Sequence, residues 1–238
     1  MTLAGRAALV TGAGRGIGRA IALALAREGA VVALAARTRK ELDAVAATIG
    51  ESGGRALVLP ADVSIATDVE RVVADTVAKL ERLDVLVTSA GVASFGPVVE
   101  AKVEDWDSML AVNLRGAMLA CRAAAPRMIA QGAGTIINVA SIAATRVLGG
   151  AAAYSATKAG LVAFSRVLAE ELRGTGVRVG LLVPGAVDTP LWDAIPGAPD
   201  RRRMLQPEDV ARAAVLMASL PARASLEEVT LLPAEGIL

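Results

Sequence analysis

Short apolar runs alternate with amphipathic stretches along almost the whole chain, and this alternation limits the possible folds more than any other feature. Strands that alternate with helices imply a doubly wound parallel sheet with right-handed crossovers. We therefore predict an α/β fold of about seven strands with helices on both faces. No internal repeat or linker interrupts it, so residues 1–238 are expected to form a single domain. The predicted strands are residues 6–11, 31–36, 55–60, 83–88, 134–140, 177–183 and 229–232. The predicted helices are residues 17–28, 38–52, 66–79, 103–109, 110–131, 151–172 and 207–219.

A glycine-rich turn joins the first predicted strand to the first helix. The segment Thr11–Gly18 reads TGAGRGIG. Glycines at this point permit a tight turn and let the backbone approach a pyrophosphate, whose charge meets the helix N-terminus. A glycine-rich turn without a ligand is the alternative. Because two strands and a helix flank it, we favour a nucleotide site.

Tyr154 and Lys158 stand four residues apart in a predicted helix. Residues with this spacing share one helix face, so the phenol and the ammonium point into the same space. Ser141 follows the fifth predicted strand, whose end would deliver its hydroxyl there. A phenol holds its proton until about pH 10, and a nearby ammonium favours the phenolate and lowers that pKa. The spacing therefore indicates an acid–base device, although such pairs are common on surface helices and usually do nothing.

Composition excludes several classes of function. The chain has no histidine, which removes Ser-His-Asp hydrolysis and histidine-ligated zinc, and we expect no metal site. Its single cysteine, Cys121, cannot form an intrachain disulfide, which agrees with a reducing compartment. A net charge of +1 and 2% aromatic residues argue against a nucleic-acid partner. We find neither a membrane-spanning apolar run nor a signal peptide, and expect a cytoplasmic protein.

Together these motifs resemble the short-chain dehydrogenase/reductase family over almost the whole chain. Thr11–Gly18 is similar to its TGxxxGxG cofactor motif, and Tyr154–Lys158 matches its Tyr-x-x-x-Lys, with Ser141 thirteen residues ahead. Asn113 lies where that family keeps a helix asparagine that completes a catalytic tetrad. The resemblance implies a Rossmann-type fold and an oxidoreductase that acts on alcohol and carbonyl groups with a nicotinamide cofactor.

The resemblance also implies a role for each site residue. Tyr154 would donate the proton to a carbonyl oxygen or remove it in the reverse direction. Lys158 would lower the pKa of the tyrosine and hydrogen-bond the nicotinamide ribose. Ser141 would hold the substrate oxygen, and Asn113 would position a water in a proton relay with Lys158. A strand-end cap is the alternative for Ser141, and a buried polar residue at a helix kink is the alternative for Asn113. The cofactor-binding residues implied are Thr11, Gly12, Gly14, Arg15, Gly16, Ile17, Gly18, Arg37, Asp62, Val63, Ala90, Gly91, Tyr154, Lys158, Pro184, Gly185, Val187 and Thr189.

The chain departs from the family pattern at two places. The usual Asn-Asn-Ala-Gly after the fourth strand reads TSAG over residues 88–91. Both amides are lost, so hydroxyls must replace the bonds that those amides would make. We expect a retuned site and not an inactive one. The C-terminus, residues 231–238, lacks the glycine-rich ending common in the family, which puts the interface geometry there in doubt.

The residues around the second strand bear on the choice of cofactor. The strand ends at Ala36, where a carboxylate would bind the adenine ribose of NAD, and Arg37 follows at once. Arg15 lies in the glycine turn near the same ribose. Two guanidiniums without an acid suit a 2′-phosphate, so NADP(H) is favoured and NAD(H) remains possible. Ordinary solvated charges are the alternative reading.

The substrate region is less informative. Trp192 could cover an apolar substrate or anchor its loop, and the loop suits a mobile lid over the cleft. The run Arg201–Arg203 could attract an anionic substrate or an acidic carrier protein, but a solvated run is more ordinary. By analogy with the family, Ser94, Phe95 and Leu148 lie near the walls of the cleft. A homo-oligomer, tetramer or dimer, is expected by the same analogy.

Three functions stay open at this point. The leading prediction is an NADPH-dependent carbonyl reductase that reduces a ketone or aldehyde reversibly. A 3-oxoacyl-[acyl-carrier-protein] reductase is the nearest alternative. A catalytically silent NADP(H)-binding sensor or interaction protein is the alternative from another class, and the intact tetrad argues against it.

Overall fold

The computed structural model describes residues 2–193, 195 and 200–237. Its seven strands lie in one parallel sheet in the order β3-β2-β1-β4-β5-β6-β7. The strands are β1 Ala7–Thr11, β2 Val31–Ala36, β3 Arg55–Pro60, β4 Val85–Thr88, β5 Gly134–Val139, β6 Val177–Pro184 and β7 Glu228–Leu231. The predicted doubly wound α/β fold is confirmed.

Helices cover both faces of the sheet. They are α1 Gly16–Arg27, α2 Arg39–Glu51, α3 Ala66–Leu80, α4 Val103–Met109, α5 Gly116–Gln131, α6 Ala152–Glu171 and α7 Pro207–Ser219. Apolar residues of α1, α2 and α7 share one core cluster, and those of α3, α5 and α6 share a second on the opposite face. The inner strands β1, β2, β4, β5 and β6 are buried from both sides, which explains why they appear in the sequence as nearly continuous apolar runs, whereas the edge strands β3 and β7 are only partly buried. Among the described residues, no helix is both long and apolar enough to cross a membrane.

The segment between α4 and α5 differs from its prediction. A regular helix was expected to begin at residue 110, but Leu110–Arg115 forms a π-helix that joins α4 to α5. Asn113 lies in this wider turn and is 1% exposed. Its carboxamide accepts from the amide N–H of Val92 at 2.8 Å and donates to the carbonyl oxygen of Val92 at 2.9 Å. The π-turn thus presents a polar side chain to the loop after β4.

The strand order determines where the cleft lies. The chain winds outward from β1 to β3 in one direction, and then from β4 to β7 in the other. The crossovers after β1 and β4 therefore diverge, and a crevice opens at the carboxyl ends of these two strands. In sheets of this type ligands bind at such a point.

Candidate active site

A cavity of about 440 Å³ lies at the carboxyl ends of the strands, between the glycine turn and α6. It brings together every predicted site residue except Thr11 and Asn113. The sequence analysis did not name several other lining residues, which are Thr38, Glu41, Ala61, Val92, Val112, Val139, Ala140, Ile142, Ala186, Pro190 and Leu191. Most of them are apolar residues next to a predicted site residue.

The glycine turn is packed too tightly for larger side chains. Gly12 has a φ of 69°, and a Cβ there would lie 2.8 Å from the backbone of Ala90. A Cβ on Gly18 would come 2.2 Å from the carbonyl oxygen of Gly12. Because the turn holds only hydrogen atoms at these points, its backbone can form the floor of the cavity at the start of α1. This arrangement fits a dinucleotide pyrophosphate at a helix N-terminus.

Thr11 supports the turn from outside the cavity. Its Oγ1 accepts from the backbone N–H groups of Ser89 at 3.2 Å and Ala90 at 3.4 Å. A threonine at the end of β1 therefore fixes the chain after β4. Thr11 acts on the position of Ala90 and does not itself line the cavity.

Thr88, at the end of β4, belongs to a buried polar network. Its Oγ1 donates to Oδ1 of Asn138 at 2.7 Å. Asn138 in turn donates to the hydroxyl of Ser165 at 2.8 Å, and Ser165 donates to the carbonyl oxygen of Leu161 at 2.7 Å. The network ties β4 and β5 to α6, the helix that carries Tyr154.

Ser141, Tyr154 and Lys158 meet at the opposite end of the cavity from Arg37. Ser141 begins the short 3₁₀ turn Ile142–Ala144, and its Oγ accepts from the N–H of Ala143 at 3.2 Å. That leaves the Ser141 hydroxyl hydrogen for the phenol oxygen of Tyr154. Lys158 is 5% exposed, and its Nζ donates to the carbonyl oxygen of Val139 at 2.9 Å.

The pKa of Tyr154 differs from its prediction. Burial raises the pKa of the phenol, and the hydrogen bond from Ser141 opposes this shift without reversing it. The predicted lowering by Lys158 is therefore not the net effect. Lys158 Nζ lies 5.7 Å from the centre of the Tyr154 ring, and burial lowers the pKa of this lysine to about 8. The sequence shows the spacing of the pair but not that packing buries Lys158 and leaves Tyr154 half-buried.

The other end of the cavity carries exposed charges. Arg15 and Arg37 both line it, as predicted, and neither forms an ion pair with the side chains of the described residues. Glu41, in the first turn of α2, lines the same rim, where a Cβ added at Gly14 would come within 2.8 Å of its Oε2. Asp62 also lines the cavity, and its Oδ1 accepts from the hydroxyl of Ser64 at 2.7 Å.

Two interpretations of the substrate region change. Phe95 and Leu148 line the cavity, but Ser94 does not, because its hydroxyl donates to Asp105 at 3.1 Å. The arginines of Arg201–Arg203 are all paired within the chain. Arg201 contacts Asp188 and Asp193, Arg202 contacts Asp200, and Arg203 contacts Glu235. Part of the predicted lid, residues 194 and 196–199, lies outside the described residues.

Among the described residues, no group of three or more histidine, cysteine, aspartate or glutamate side chains could hold a metal ion. The cavity instead combines a glycine turn, a phenol, a hydroxyl and a buried amine at the edge of a doubly wound sheet. Fold and site together define a dinucleotide-dependent oxidoreductase class.

Comparison with known proteins agrees with that class. The family model described as short chain dehydrogenase matches residues 6–199, so this chain belongs to the short-chain dehydrogenase/reductase family. A D-threitol dehydrogenase of Mycolicibacterium smegmatis is 42% identical over 226 residues, covering 91% of this chain and 87% of that protein. An uncharacterized oxidoreductase of Staphylococcus aureus is 36% identical, covering 97% of this chain and 98% of its own length.

Solved structures give the same result. A metagenomic short-chain oxidoreductase in complex with NADP has a TM-score of 0.87 and 39% identity, covering 98% of this chain and all of that one. An alcohol dehydrogenase from the archaeon Thermococcus sibiricus, complexed with 5-hydroxy-NADP, has a TM-score of 0.89 and 33% identity, covering 96% and 97%. The chain is thus an oxidoreductase of this family.

Proposed function

We propose that this chain is an NADP(H)-dependent oxidoreductase that reduces a ketone or aldehyde to an alcohol and can run in reverse. The observation that carries the proposal is the meeting of Ser141, Tyr154 and Lys158 in the same cavity as the glycine turn. One end of this cavity suits a dinucleotide, and the other end holds a proton donor. NADP in one solved relative and 5-hydroxy-NADP in another support the choice of cofactor class.

Tyr154 is the proposed proton donor to the substrate oxygen. Its raised pKa keeps the phenol protonated at neutral pH, which suits an acid in the direction of reduction. Ser141 would hold the same oxygen through its hydroxyl. NADPH, when bound, supplies the hydride for the carbonyl carbon. As the oxygen gains charge, the hydrogen bonds from Tyr154 and Ser141 strengthen, and this difference lowers the barrier.

Lys158 is proposed to hold the ribose of the nicotinamide nucleoside and to replace the proton that Tyr154 gives up. Its contact with Val139 fixes the amine beside Tyr154. A pKa of about 8 makes the ammonium a ready donor near neutral pH. The glycine turn, Asp62, Val63 and the segment from Pro184 to Thr189 would hold the remainder of the nucleotide.

Asn113 receives a different role from the one that its position in the tetrad implies. Its carboxamide is committed to Val92 and, at 3.3 Å, to the hydroxyl of Thr157. We therefore propose that Asn113 is a positioning residue. It fixes the loop after β4, next to Gly91, and does not touch the reacting atoms.

Preference for NADP(H) over NAD(H) rests on charge at the adenosine end. Arg15 and Arg37 can each donate several hydrogen bonds to a 2′-phosphate, and Ala36 offers no carboxylate to a ribose diol. Glu41 opposes them, since its carboxylate stands on the same rim and would repel a phosphate. We propose that the two arginines prevail and that Glu41 reduces their advantage.

Oxidation of a small polyol is a second candidate. The D-threitol dehydrogenase of M. smegmatis is a relative with 42% identity, and the same acid–base residues would serve a polyol in the reverse direction. A 3-oxoacyl-carrier-protein reductase is less supported, although a 3-ketoacyl-ACP reductase from Sinorhizobium meliloti is similar in structure, with 36% identity. The arginines 201–203, which could attract an acidic carrier, already pair with acids of this chain.

A substrate panel tests the proposal. Oxidation of NADPH and of NADH is followed with simple ketones, aldehydes, β-ketoesters and acyl thioesters, and reduction of NADP⁺ and NAD⁺ is followed with polyols. We expect turnover of at least one ketone or aldehyde, with a higher kcat/KM for NADPH than for NADH. No turnover of any carbonyl, or equal rates for wild type and Tyr154→Phe on every substrate, would refute the catalytic proposal. Faster turnover with NADH would refute only the cofactor preference.

A further inference from the structure

Three of the five aromatic side chains of this protein form one cluster at the cavity. Phe95 lies in the loop after β4, and Trp192 lies in the short 3₁₀ turn Pro190–Trp192 after β6. Their rings are parallel within 1°, with centroids 6.0 Å apart. The Phe95 ring also contacts that of Tyr154, at a centroid distance of 5.7 Å and an angle of 51°. Two loops on opposite sides of the cleft are thus joined over the proposed proton donor.

The polar edge of Trp192 is used inside its own loop. Its Nε1 donates to the carbonyl oxygen of Val187 at 2.9 Å. Arg201 holds the same turn, because it donates to the carbonyl oxygen of Thr189 and to the carboxylate of Asp193, both at 2.7 Å. Trp192 therefore anchors its loop through nitrogen and presents only hydrocarbon to the cavity. Trp192 thus anchors its loop, and its ring stays available to cover an apolar substrate.

Apolar side chains line the cavity together with this aromatic cluster. They include Val92, Ile142, Leu148 and Leu191. Among the described lining residues, the charged ones other than Lys158 are Arg15, Arg37, Glu41 and Asp62, which belong to the proposed nucleotide site. Lys158 already donates to Val139. A carboxylate on the substrate would find no free counter-charge beside the aromatic wall, and a polyol would leave hydroxyls without partners. Both situations cost binding free energy.

We propose that Phe95 and Trp192 form a substrate-selecting wall, which favours a neutral carbonyl compound with an apolar substituent over polyhydroxylated or anionic ones. This inference rests on the proposed reduction of a carbonyl group and names the class of compound. The substituent would pack against the aromatic faces while its carbonyl oxygen reaches Tyr154 and Ser141. Burial of a few apolar carbon atoms favours such a compound by about tenfold over a hydroxylated one of similar size.

Tryptophan fluorescence tests the wall without catalysis. The protein has two tryptophans, so Trp106→Phe leaves Trp192 as the single reporter. The NADP⁺ complex of this variant is titrated with cyclohexanone, with erythrulose, the ketose related to threitol, and with pyruvate. The carbonyl group and NADP⁺ are both oxidised, so they cannot react with each other, and erythrulose, whose hydroxyls could give hydride to NADP⁺, is checked for the absence of NADPH formation. We expect a dissociation constant for cyclohexanone about tenfold lower than for either other compound.

Matched variants then show which residues cause the preference for cyclohexanone. Phe95→Leu in the same background is expected to reduce it to about threefold or less, because the stacked partner is lost. Phe164→Leu is the control, since Phe164 packs against the core cluster shared by α3, α5 and α6 and does not line the cavity. If Phe95→Leu fails to fold, Trp192→Ala is used instead. The preference is then measured as kcat/KM for cyclohexanone divided by kcat/KM for erythrulose.

The outcomes separate this inference from the proposed function. Equal binding of the three compounds, or tighter binding of erythrulose or pyruvate, would refute the proposed wall. The proposal would also fail if no compound gave a saturable signal, or if both wall variants kept the preference. Loss of the preference in the wall variants, but not in the control Phe164→Leu, supports the proposed wall. Absence of NADPH oxidation with every carbonyl would count against the proposed function and would leave the fluorescence result standing.

Discussion

The two ends of the cavity are held in place in different ways. At the reaction end, Lys158 is 5% exposed and hydrogen-bonded to the backbone of β5, and Thr88 belongs to a buried network that reaches α6. At the adenosine end, Arg15 and Arg37 are exposed and form no ion pair with the described side chains. The first end is part of the core, and the second is part of the surface.

This difference separates what the fold fixes from what can be tuned. Removing one partner of a buried polar group strongly destabilises the folded protein, so the reaction geometry resists change. Exposed charges interact weakly through water and salt, so the choice between cofactors can shift without disturbing the core. We expect variants at the two ends to differ in the size and in the kind of their effects.

The largest effect is expected from Tyr154→Phe. The variant keeps the ring and its contact with Phe95 but loses the proton donor. Turnover should fall by about 10²- to 10⁴-fold, while the dissociation constant for NADP⁺ changes little. Steady-state kinetics and titration calorimetry measure the two quantities. A matched fall in cofactor affinity would mean that the phenol serves binding and not proton transfer.

Lys158→Met is expected to change the pH dependence of stability. Burial lowers the pKa of Lys158 from 10.5 to about 8, so between these values the unfolded chain binds more protons than the folded one. Wild type should therefore gain stability relative to the variant as pH rises from about 8 to 10.5, by up to about 3 kcal/mol. Urea denaturation of both proteins from pH 7 to pH 10 measures the difference. A constant difference would show that the lysine is not desolvated in the folded state.

Asn113→Ala is expected to act on stability before chemistry. It removes both contacts with Val92 and leaves two backbone groups without these partners, which should cost about 2 kcal/mol in the free energy of unfolding. Thr157→Val is the comparison, because it leaves both contacts with Val92 in place and removes the 3.3 Å contact with the same carboxamide, together with the Thr157 bond to the carbonyl oxygen of Tyr154. If Asn113→Ala kept its stability but lost turnover, Asn113 would belong to the proton relay that the family resemblance implies.

The smallest effects are expected at the adenosine rim. Arg37→Ser should weaken NADP⁺ binding about tenfold and leave NAD⁺ binding within about twofold, because only the 2′-phosphate loses a donor. Glu41→Gln should tighten NADP⁺ binding about threefold by removing the opposing charge. Both effects should shrink at high ionic strength. Calorimetric titrations at low and high salt measure them, and equal changes for the two nucleotides would contradict the assignment of this rim.

The sequence predicts the sheet and most of the site, because buried strands and the glycine turn leave strong local patterns. It does not predict the π-helix that holds Asn113, since the residues of Leu110–Arg115 carry no distinctive signal. Glu41 was missed because its approach to Gly14 depends on how α2 packs beside the glycine turn. The partners of Arg201–Arg203 and the burial that raises the pKa of Tyr154 likewise come from tertiary packing.

The division between the two ends is tested most directly by kcat at saturating NADPH for Tyr154→Phe and Arg37→Ser side by side. We predict that Tyr154→Phe loses about 10²-fold or more and that Arg37→Ser retains kcat within about threefold of wild type. If Arg37→Ser loses kcat as severely as Tyr154→Phe, or if Tyr154→Phe retains it, the chemistry does not reside where the buried contacts place it.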